Sequence, residues 1–219
     1  MIENIILRFE NIVCDVDYNR VNEAFDKYGI KGYESFYGPG IRSGLFENFE
    51  KGKLPIYQFE DEFNAFAHTS LNLGDIDGLL RAHLNVDEEV LDILTELGVF
   101  FKTFMMGNLN PLTMQWADSF EFSLKEYPIS LFFNKIYCSY QCGYLLPDWR
   151  FLDFIGTDSE IKPTETIVVD TDIKTLNIAD GMGFGVFYAE SKKALKDYLH
   201  NLIKIGNENW TYSDFCQRS

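Results

Sequence analysis

The sequence predicts an α/β fold, a Rossmann-like parallel sheet that carries an inserted helical cap domain. Segments with the composition of buried strands alternate with amphipathic helical segments, which is typical of a parallel sheet covered by helices. One strand pattern precedes a long, largely helical stretch, and four strand patterns follow it. We therefore predict a core domain formed by residues 1–14 and 84–219 and a cap formed by residues 15–83, within the size of a chain of 219 residues.

Continuous apolar runs, rich in Val, Ile, Leu and Phe, mark the strands of the predicted sheet. In chain order these runs are residues 5–9, 99–106, 132–140, 166–169 and 184–188. The run at 166–169 is expected to end at Asp170. Ligands of open α/β sheets bind beyond the carboxyl ends of the strands, so the cap is expected to cover a site there.

Apolar residues at helical spacing predict the helices between these strands. The helices are expected in residues 19–28, in most of 45–83, in 87–97, from Pro147 through 155, in 173–182 and in 192–205. Gly98 is expected to end the third of these segments, and Pro147 to begin the fourth. The stretch 29–44, with Gly38-Pro39-Gly40 at its centre, predicts turns.

The acidic composition of the chain argues against two classes of binding partner. The formal net charge is −15, from 34 acidic and 19 basic residues, so we expect no nucleic acid and no membrane partner. The sequence shows neither a targeting signal nor an apolar run long enough to span a bilayer, and a cytoplasmic protein is expected. Reduced thiols are then expected at Cys14, Cys138, Cys142 and Cys216.

Several short motifs, spaced from about residue 2 to residue 190, together resemble one known family. They are Ile2-Glu3-Asn4-Ile5-Ile6, Ser43-Gly44-Leu45-Phe46, Phe49-Glu50-Lys51-Gly52, Gly107-Asn108-Leu109-Asn110-Pro111, Ser139-Tyr140-Gln141-Cys142-Gly143, Leu146-Pro147-Asp148 and Ile167-Val168-Val169-Asp170. In this order they resemble the haloacid-dehalogenase-like hydrolases that have a helical cap after the first strand. The resemblance implies phosphoryl transfer, or in fewer members halide displacement, through a covalent aspartyl intermediate.

The positions that match the family's nucleophile and its neighbours carry other residues. Arg8 stands at the position of the nucleophilic aspartate, and a guanidinium has no nucleophilic oxygen. Glu10 stands at the position of a second acid, which relatives with this kind of cap often replace by glycine. Gly107 stands at the position of a hydroxyl residue that binds the phosphoryl group, and Leu146 at the position of a lysine.

The family's acidic pair for Mg²⁺ is half present. Asp170 matches its first acid, Thr171 follows, and Asp172 lies one position too far along. Loss of one catalytic group typically costs orders of magnitude in rate. Because nucleophile, hydroxyl, lysine and half of the metal pair are all replaced, the sequence favours a catalytically silent member, a pseudoenzyme.

Arg8 is expected to form a structural ion pair. The strands that end at Arg8 and Asp170 are neighbours in this family, and a buried guanidinium needs a carboxylate partner. Asp170 is the expected partner, with Glu10 or Asp172 as further ones. A functional alternative remains open, in which Arg8 holds an anionic ligand. The predicted ligand-binding residues are Arg8, Asn108 and Asp170.

Two functions follow from this site. The leading prediction is a silent protein that binds an unknown small molecule or a protein partner, without a cofactor. The alternative is a Mg²⁺-dependent phosphatase with a shifted motif, in which Asp15 and Asp17 do the chemistry; any metal would otherwise lie at Asp170 and Asp172. Whether the chain forms a homo-oligomer, and whether the aromatic tail at 210–215 packs on the domain or in a subunit contact, stays open.

Overall fold

A computed structural model describes residues 1–32, 34, 37–38 and 41–209. It confirms the predicted α/β class with a Rossmann-like parallel sheet. The described chain contains a five-stranded parallel sheet, with strands β1 (Asn4–Arg8), β6 (Lys102–Gly107), β7 (Lys135–Cys138), β8 (Thr166–Asp170) and β9 (Gly185–Tyr188). Their order across the sheet is β7-β6-β1-β8-β9.

The central strand is β1, which pairs with β6 on one side and β8 on the other. Arg8 is the register partner of Met106, and Leu7 is the partner of Val169. Because parallel strands carry their carboxyl ends at the same edge, the last residues of β1, β6 and β8 lie side by side. The fold therefore brings Arg8 close to Asp170, as the sequence predicts.

Helices cover both faces of the sheet. These core helices are α5 (Glu88–Phe100), α6 (Pro111–Ala117), α7 (Ser139–Cys142), α8 (Trp149–Asp158), α9 (Ile173–Gly181) and α10 (Lys192–Asn209). Alternate side chains of a strand point to opposite faces. Ile5 and Leu7 accordingly belong to the apolar cluster under α5 and α10, while Ile6 belongs to the cluster under α8 and α9.

A separate apolar cluster lies in the inserted segment. Its helices are α1 (Tyr18–Lys27), α2 (Gly44–Glu50), α3 (Ile56–Ala67) and α4 (Leu73–Arg81). Phe49 and Phe59 stack at the centre with ring centroids 3.8 Å apart, and Phe63 is fully buried beside them. Two further short strands, Tyr37–Gly38 (β3) and Ile41–Arg42 (β4), pair antiparallel.

The inserted segment begins and ends at a two-stranded antiparallel sheet. This neck pairs β2 (Cys14–Val16) with β5 (Leu84–Val86). Lys192 of α10 holds the neck from the core side, because its Nζ donates to the carbonyl of Ile12 and contacts Asp15 and Asp87. The division into a core of residues 1–14 and 84–219 and a cap of residues 15–83 stays a prediction, and we call the inserted segment with helices α1 to α4 the cap.

The structure corrects the bounds of three predicted elements. Helix α5 continues through Gly98 to Phe100, so Val99 belongs to a helix and not to the next strand. The predicted strand at 132–140 is shorter, because a 3₁₀ turn takes Ile129–Phe132 and α7 begins at Ser139. Helix α8 begins after Pro147, with Asp148 as its N-cap. In the first two cases the apolar run extends beyond the strand, and periodicity does not mark that boundary.

Some sequence predictions lie wholly or partly outside the described residues. They are the Pro39-Gly40 part of the predicted turn, Cys216 and the aromatic tail at 210–215. The described cysteines, Cys14, Cys138 and Cys142, form no disulfide. Within the described chain, no helix has both the length and the apolar character that crossing a membrane requires.

Candidate functional site

A cleft of about 520 Å³ opens at the carboxyl end of the sheet, between the core and the beginning of the cap. The predicted ligand-binding residues, Arg8, Asn108 and Asp170, all line it. The other described lining residues are Glu10, Asn11, Tyr18, Leu145, Leu146, Pro147, Thr171, Asp172 and Lys174. The structure thus brings the four motif regions of the sequence to one place.

Arg8 forms two ion pairs at the floor of this cleft. Its Nε donates to Oε2 of Glu10 at 2.5 Å, and its Nη1 donates to Oδ2 of Asp170 at 3.3 Å. The side chains of Arg8 and Glu10 are 12% and 16% exposed, whereas that of Asp170 is 1% exposed. The predicted ion pair of Arg8 and Asp170 is therefore present, and Glu10 is a second and closer partner.

Burial and charge act on these groups in opposite directions. Burial alone would lower the pKa of Arg8, but the carboxylates of Glu10 and Asp170 outweigh it and raise that pKa, so Arg8 stays protonated. Burial raises the pKa of Asp170, and the guanidinium of Arg8 offsets part of that rise. The cation at the end of β1 is therefore permanent at any physiological pH.

The carboxylate of Glu10 is held from two sides. While Oε2 accepts from Arg8, Oε1 accepts from the backbone N–H of Asn108 at 3.0 Å. Gly107 lies directly beside this side chain: a Cβ at Gly107 would contact Oε2 of Glu10 at 3.4 Å and would lie only 2.9 Å from Cβ of Phe9. The close approach of Phe9 is therefore what disfavours a larger residue at position 107.

Asn108 and Leu146 connect two loops at the edge of the cleft. The Asn108 side chain donates to the Leu146 carbonyl at 3.1 Å and accepts from the Leu146 N–H at 2.8 Å. The amide of Asn108 thus fixes the chain at Leu146, whose side chain is buried. Position 146, where the family has a lysine, therefore carries a buried apolar side chain.

The acids at the end of β8 and just after it accept hydrogen bonds from nearby backbone N–H groups. Asp170 Oδ1 accepts from the N–H groups of Thr171 and Asp172, at 2.7 and 2.9 Å. Asp172 is the N-cap of α9 and accepts from the backbone N–H groups of Lys174 and Thr175 and from the Thr175 hydroxyl. Burial of Asp172 opposes its ionisation, but these hydrogen bonds prevail and lower its pKa.

A metal ion does not fit this arrangement. Among the described residues, no three His, Cys, Asp or Glu side chains form a group able to hold one. Both oxygens of Asp170 accept hydrogen bonds, one of them from the guanidinium of Arg8. A cation at Asp170 would have to displace Arg8, which is the fixed charge already compensating that carboxylate.

The acids of the shifted motif lie elsewhere. Asp15 is in the neck, about half exposed, and pairs with Lys192 at 2.6 Å. Asp17 is exposed and caps α1 by accepting from the backbone N–H of Asn19. Neither residue lines the cleft as described, and the two do not meet Arg8 or Asp170 there.

Sequence reasoning missed several lining residues. Tyr18 begins α1 directly after the neck, which places it over the cleft, and Asn11 follows β1 with a φ of 63°. A residue just after a strand of the site, or at the start of the cap, could have been proposed on position alone. Lys174 adds a second cation to the rim.

Comparison with known proteins gives one curated relative with an assigned activity. The chain is 30% identical over 192 residues to D-ribitol-5-phosphate phosphatase from Bacteroides thetaiotaomicron, which covers 87% of this chain and 93% of the relative. No protein-family model matches the sequence.

Solved structures share this fold. A predicted HAD-like hydrolase from Porphyromonas gingivalis has a TM-score of 0.80 and 24% identity, covering 86% of this chain and 91% of its own. A HAD enzyme from B. thetaiotaomicron, an aspartate-to-alanine variant in complex with magnesium and inorganic phosphate, has a TM-score of 0.80 and 22% identity, with coverages of 85% and 93%. Related structures therefore hold magnesium, and the expectation of no cofactor is not supported.

Proposed function

Because this chain belongs to the haloacid-dehalogenase-like (HAD-like) hydrolases, we propose that it retains the family's cleft as a binding site for a small polar molecule and transfers no phosphoryl group through an aspartate. The observation that carries this proposal is Arg8, at the end of the central strand, paired with both Glu10 and Asp170. A protonated guanidinium can bind and orient, but it cannot attack phosphorus.

The surrounding residues agree with binding rather than turnover. Gly107 offers no hydroxyl and Leu146 no ammonium group, so the described cleft supplies neither at these two positions. The cleft itself remains open and polar, with Asn108, Thr171 and Lys174 on its walls. Such a pocket with a few convergent polar groups is the usual form of a small-molecule site.

The relatives favour a second candidate, a phosphatase that acts on a small phosphate ester. The 30% identical relative is a D-ribitol-5-phosphate phosphatase, and this supports the phosphatase alternative better than it supports a silent protein. The metal of related structures would then be Mg²⁺, which supplies electrophilic stabilisation of a phosphoryl group in such enzymes. The residues at Arg8 and Asp170 do not fit that ion as they stand, and Asp15 and Asp17 lie away from the cleft.

One assay separates the two candidates. Release of inorganic phosphate is measured with Mg²⁺ from D-ribitol 5-phosphate and a panel of other sugar and polyol phosphates, for the wild type, Arg8→Asp and Asp15→Asn. We expect no release above background from any of the three proteins. Mg²⁺-dependent release by the wild type overturns the proposal, and its loss in Asp15→Asn would assign the chemistry to the shifted motif.

Binding without turnover needs its own measurement. A thermal-shift screen of small metabolites is expected to find compounds that raise the melting temperature of the wild type, because a ligand that binds only the folded state stabilises it. Arg150→Met, which removes an exposed guanidinium outside the described cleft lining, is the matched control for Arg8→Met. A compound that stabilises both variants equally does not bind at Arg8.

A further inference from the structure

Two hydrogen-bond donors at the floor of the cleft already bind an anionic group, the carboxylate of Glu10. The carboxylate of Glu10 accepts from the guanidinium of Arg8 at 2.5 Å and from the backbone N–H of Asn108 at 3.0 Å. A guanidinium and a backbone N–H, both partly buried, are the donors that proteins use for phosphate and carboxylate ligands. These two donors, which we call the anion cradle, are filled from within.

The sequence around the anion cradle suits its internal occupant. Position 107 is glycine, and a Cβ there would be in van der Waals contact with Oε2 of Glu10 at 3.4 Å and would clash with Cβ of Phe9 at 2.9 Å, so the carboxylate and position 107 are directly adjacent. Glu10 is two residues beyond Arg8, which lets one short segment supply both the cation and the anion. The arrangement needs no ligand to satisfy the buried charge of Arg8.

The balance of charge in the cleft also disfavours an anion from solution. Among the described lining residues, the carboxylates of Glu10, Asp170 and Asp172 outnumber the cations of Arg8 and Lys174. A phosphate that approached Arg8 would meet Glu10 and Asp170 at the same guanidinium. Like charges repel most strongly at groups with little exposure to solvent, such as Asp170, whose side chain is 1% exposed.

We infer that Glu10 self-occupies the anion cradle, so that the native ligand of the cleft is an uncharged or cationic polar molecule and carries no phosphate at this point. This inference rests on the proposed function, because it names the ligand class of the same cleft. It also predicts a latent anion site: removal of the Glu10 carboxylate frees Arg8 Nε and the Asn108 N–H for an anion of similar geometry.

The test is titration calorimetry with inorganic phosphate, without magnesium, on the wild type and Glu10→Ala. We expect Glu10→Ala to bind phosphate at least about tenfold more tightly than the wild type, a change that corresponds to about 1.4 kcal/mol. Asp172→Ala is the matched control, because it removes one negative charge from the cleft but leaves Glu10 in the cradle. It is expected to gain clearly less phosphate affinity than Glu10→Ala, because it relieves charge repulsion without emptying the cradle.

Defined outcomes overturn the inference. Equal phosphate affinity of the wild type and Glu10→Ala, or equal gains in Glu10→Ala and Asp172→Ala, contradicts self-occupation of the cradle. If Glu10→Ala does not fold, Glu10→Ser keeps a polar but much shorter side chain that leaves the two donors unoccupied, and a phosphate affinity equal to that of the wild type again contradicts the inference. Because titration with inorganic phosphate involves no turnover, its result is independent of the phosphate-release assay that tests the proposed function.

Discussion

At the scale of single residues, the side chain of Arg8 compensates the buried acids of the cleft. Removing one partner of a buried ion pair leaves an uncompensated charge, which costs more than the pair itself contributes. Asp170, whose side chain is 1% exposed, would lose its only described side-chain cation, and Glu10 would lose its closest donor. The ion pairs of Arg8 are therefore expected to contribute to folding as well as to ligand choice.

We predict that Arg8→Met lowers the free energy of unfolding by about 3 kcal/mol, because Glu10 and Asp170 then remain as uncompensated buried acids. Urea denaturation followed by circular dichroism measures this change. Arg150→Met removes an ion pair with Asp148 in which the arginine side chain is half exposed, and it is expected to change stability by less than about 1 kcal/mol. Equal losses in the two variants would contradict a special role for Arg8.

The sequence predicted the partners of Arg8 better than the detail of their geometry. The pairing with Asp170 follows from two neighbouring parallel strands that end at the same edge, and such a topology can be recognised from motif order. The hydrogen bond from the Asn108 N–H to Glu10 joins residues that are 98 positions apart. It depends on which way one side chain turns, and no local pattern records that choice.

At the scale of elements, the start of α5 is stabilised by a hydrogen bond and two ion pairs that all involve Asp87. Asp87 is the N-cap and accepts from the Val90 N–H at 3.2 Å, while Lys192 and Lys196 of α10 contact its two oxygens at 3.3 Å. Burial of Asp87 opposes its ionisation, but this hydrogen bond and the two lysines outweigh burial and lower its pKa below the ordinary value of 3.8.

The stability that Asp87 contributes should therefore depend on pH. An acid with a lowered folded-state pKa stabilises the fold above its unfolded pKa, and this contribution is lost as the pH falls through the folded-state value. We predict that Asp87→Ala costs about 1 kcal/mol near neutral pH and that the difference from the wild type shrinks below about pH 3.8. Urea denaturation across this range measures it; Asp87→Asn, which keeps a capping oxygen, should lose less at neutral pH.

The contact between cap and core depends on a glycine. Gly52, after α2, has a φ of 66°, and a Cβ there would lie 2.1 Å from the backbone carbonyl oxygen of Tyr140 in the core. Gly29 has nearly the same φ, 69°, but a Cβ there would meet nothing within 4 Å. Both glycines therefore adopt a positive φ that strains other residues, but only Gly52 also lies against the backbone of another segment.

We predict that Gly52→Ala destabilises the protein by at least about 1 kcal/mol more than Gly29→Ala, because only the first substitution also forces cap and core apart. Thermal denaturation of both variants gives the comparison. Chemical shifts around Tyr140 should change in Gly52→Ala and stay as in the wild type in Gly29→Ala. Similar losses in both variants would mean that backbone strain alone accounts for the effect.

Element type was more predictable than element boundaries. Helix α3 lies within the stretch 45–83 that the sequence predicts to be mostly helical, because one apolar face with Phe59 and Phe63 packs in the cap cluster. Gly98 was expected to end α5, yet the helix continues to Phe100 because its apolar face still packs on the core there. The short strands of the neck were not predicted, since three residues carry too little pattern for recognition.

At the scale of the whole molecule, apolar contacts divide the described chain into a core on both faces of the sheet and a cluster within the cap. Leu112 of α6 is the one residue of the core helices among the buried residues of the cap cluster. The chain passes from core to cap and back through β2 and β5. A structure with clusters divided in this way is expected to open in parts, with free energies that differ between them.

We predict that Phe63→Ala, in the cap cluster, loosens the cap without loosening the sheet, while Phe151→Ala, under the sheet, does the reverse. Both side chains are fully buried, and each truncation is expected to cost about 3 to 5 kcal/mol within its own cluster. Hydrogen exchange read by mass spectrometry should show faster exchange in α1, α3 and α4 for the first variant and in β6, β8 and α9 for the second. Uniform acceleration throughout the chain in either variant would mean that cap and core unfold as one cooperative unit, and would remove the physical basis for the division at residues 15–83.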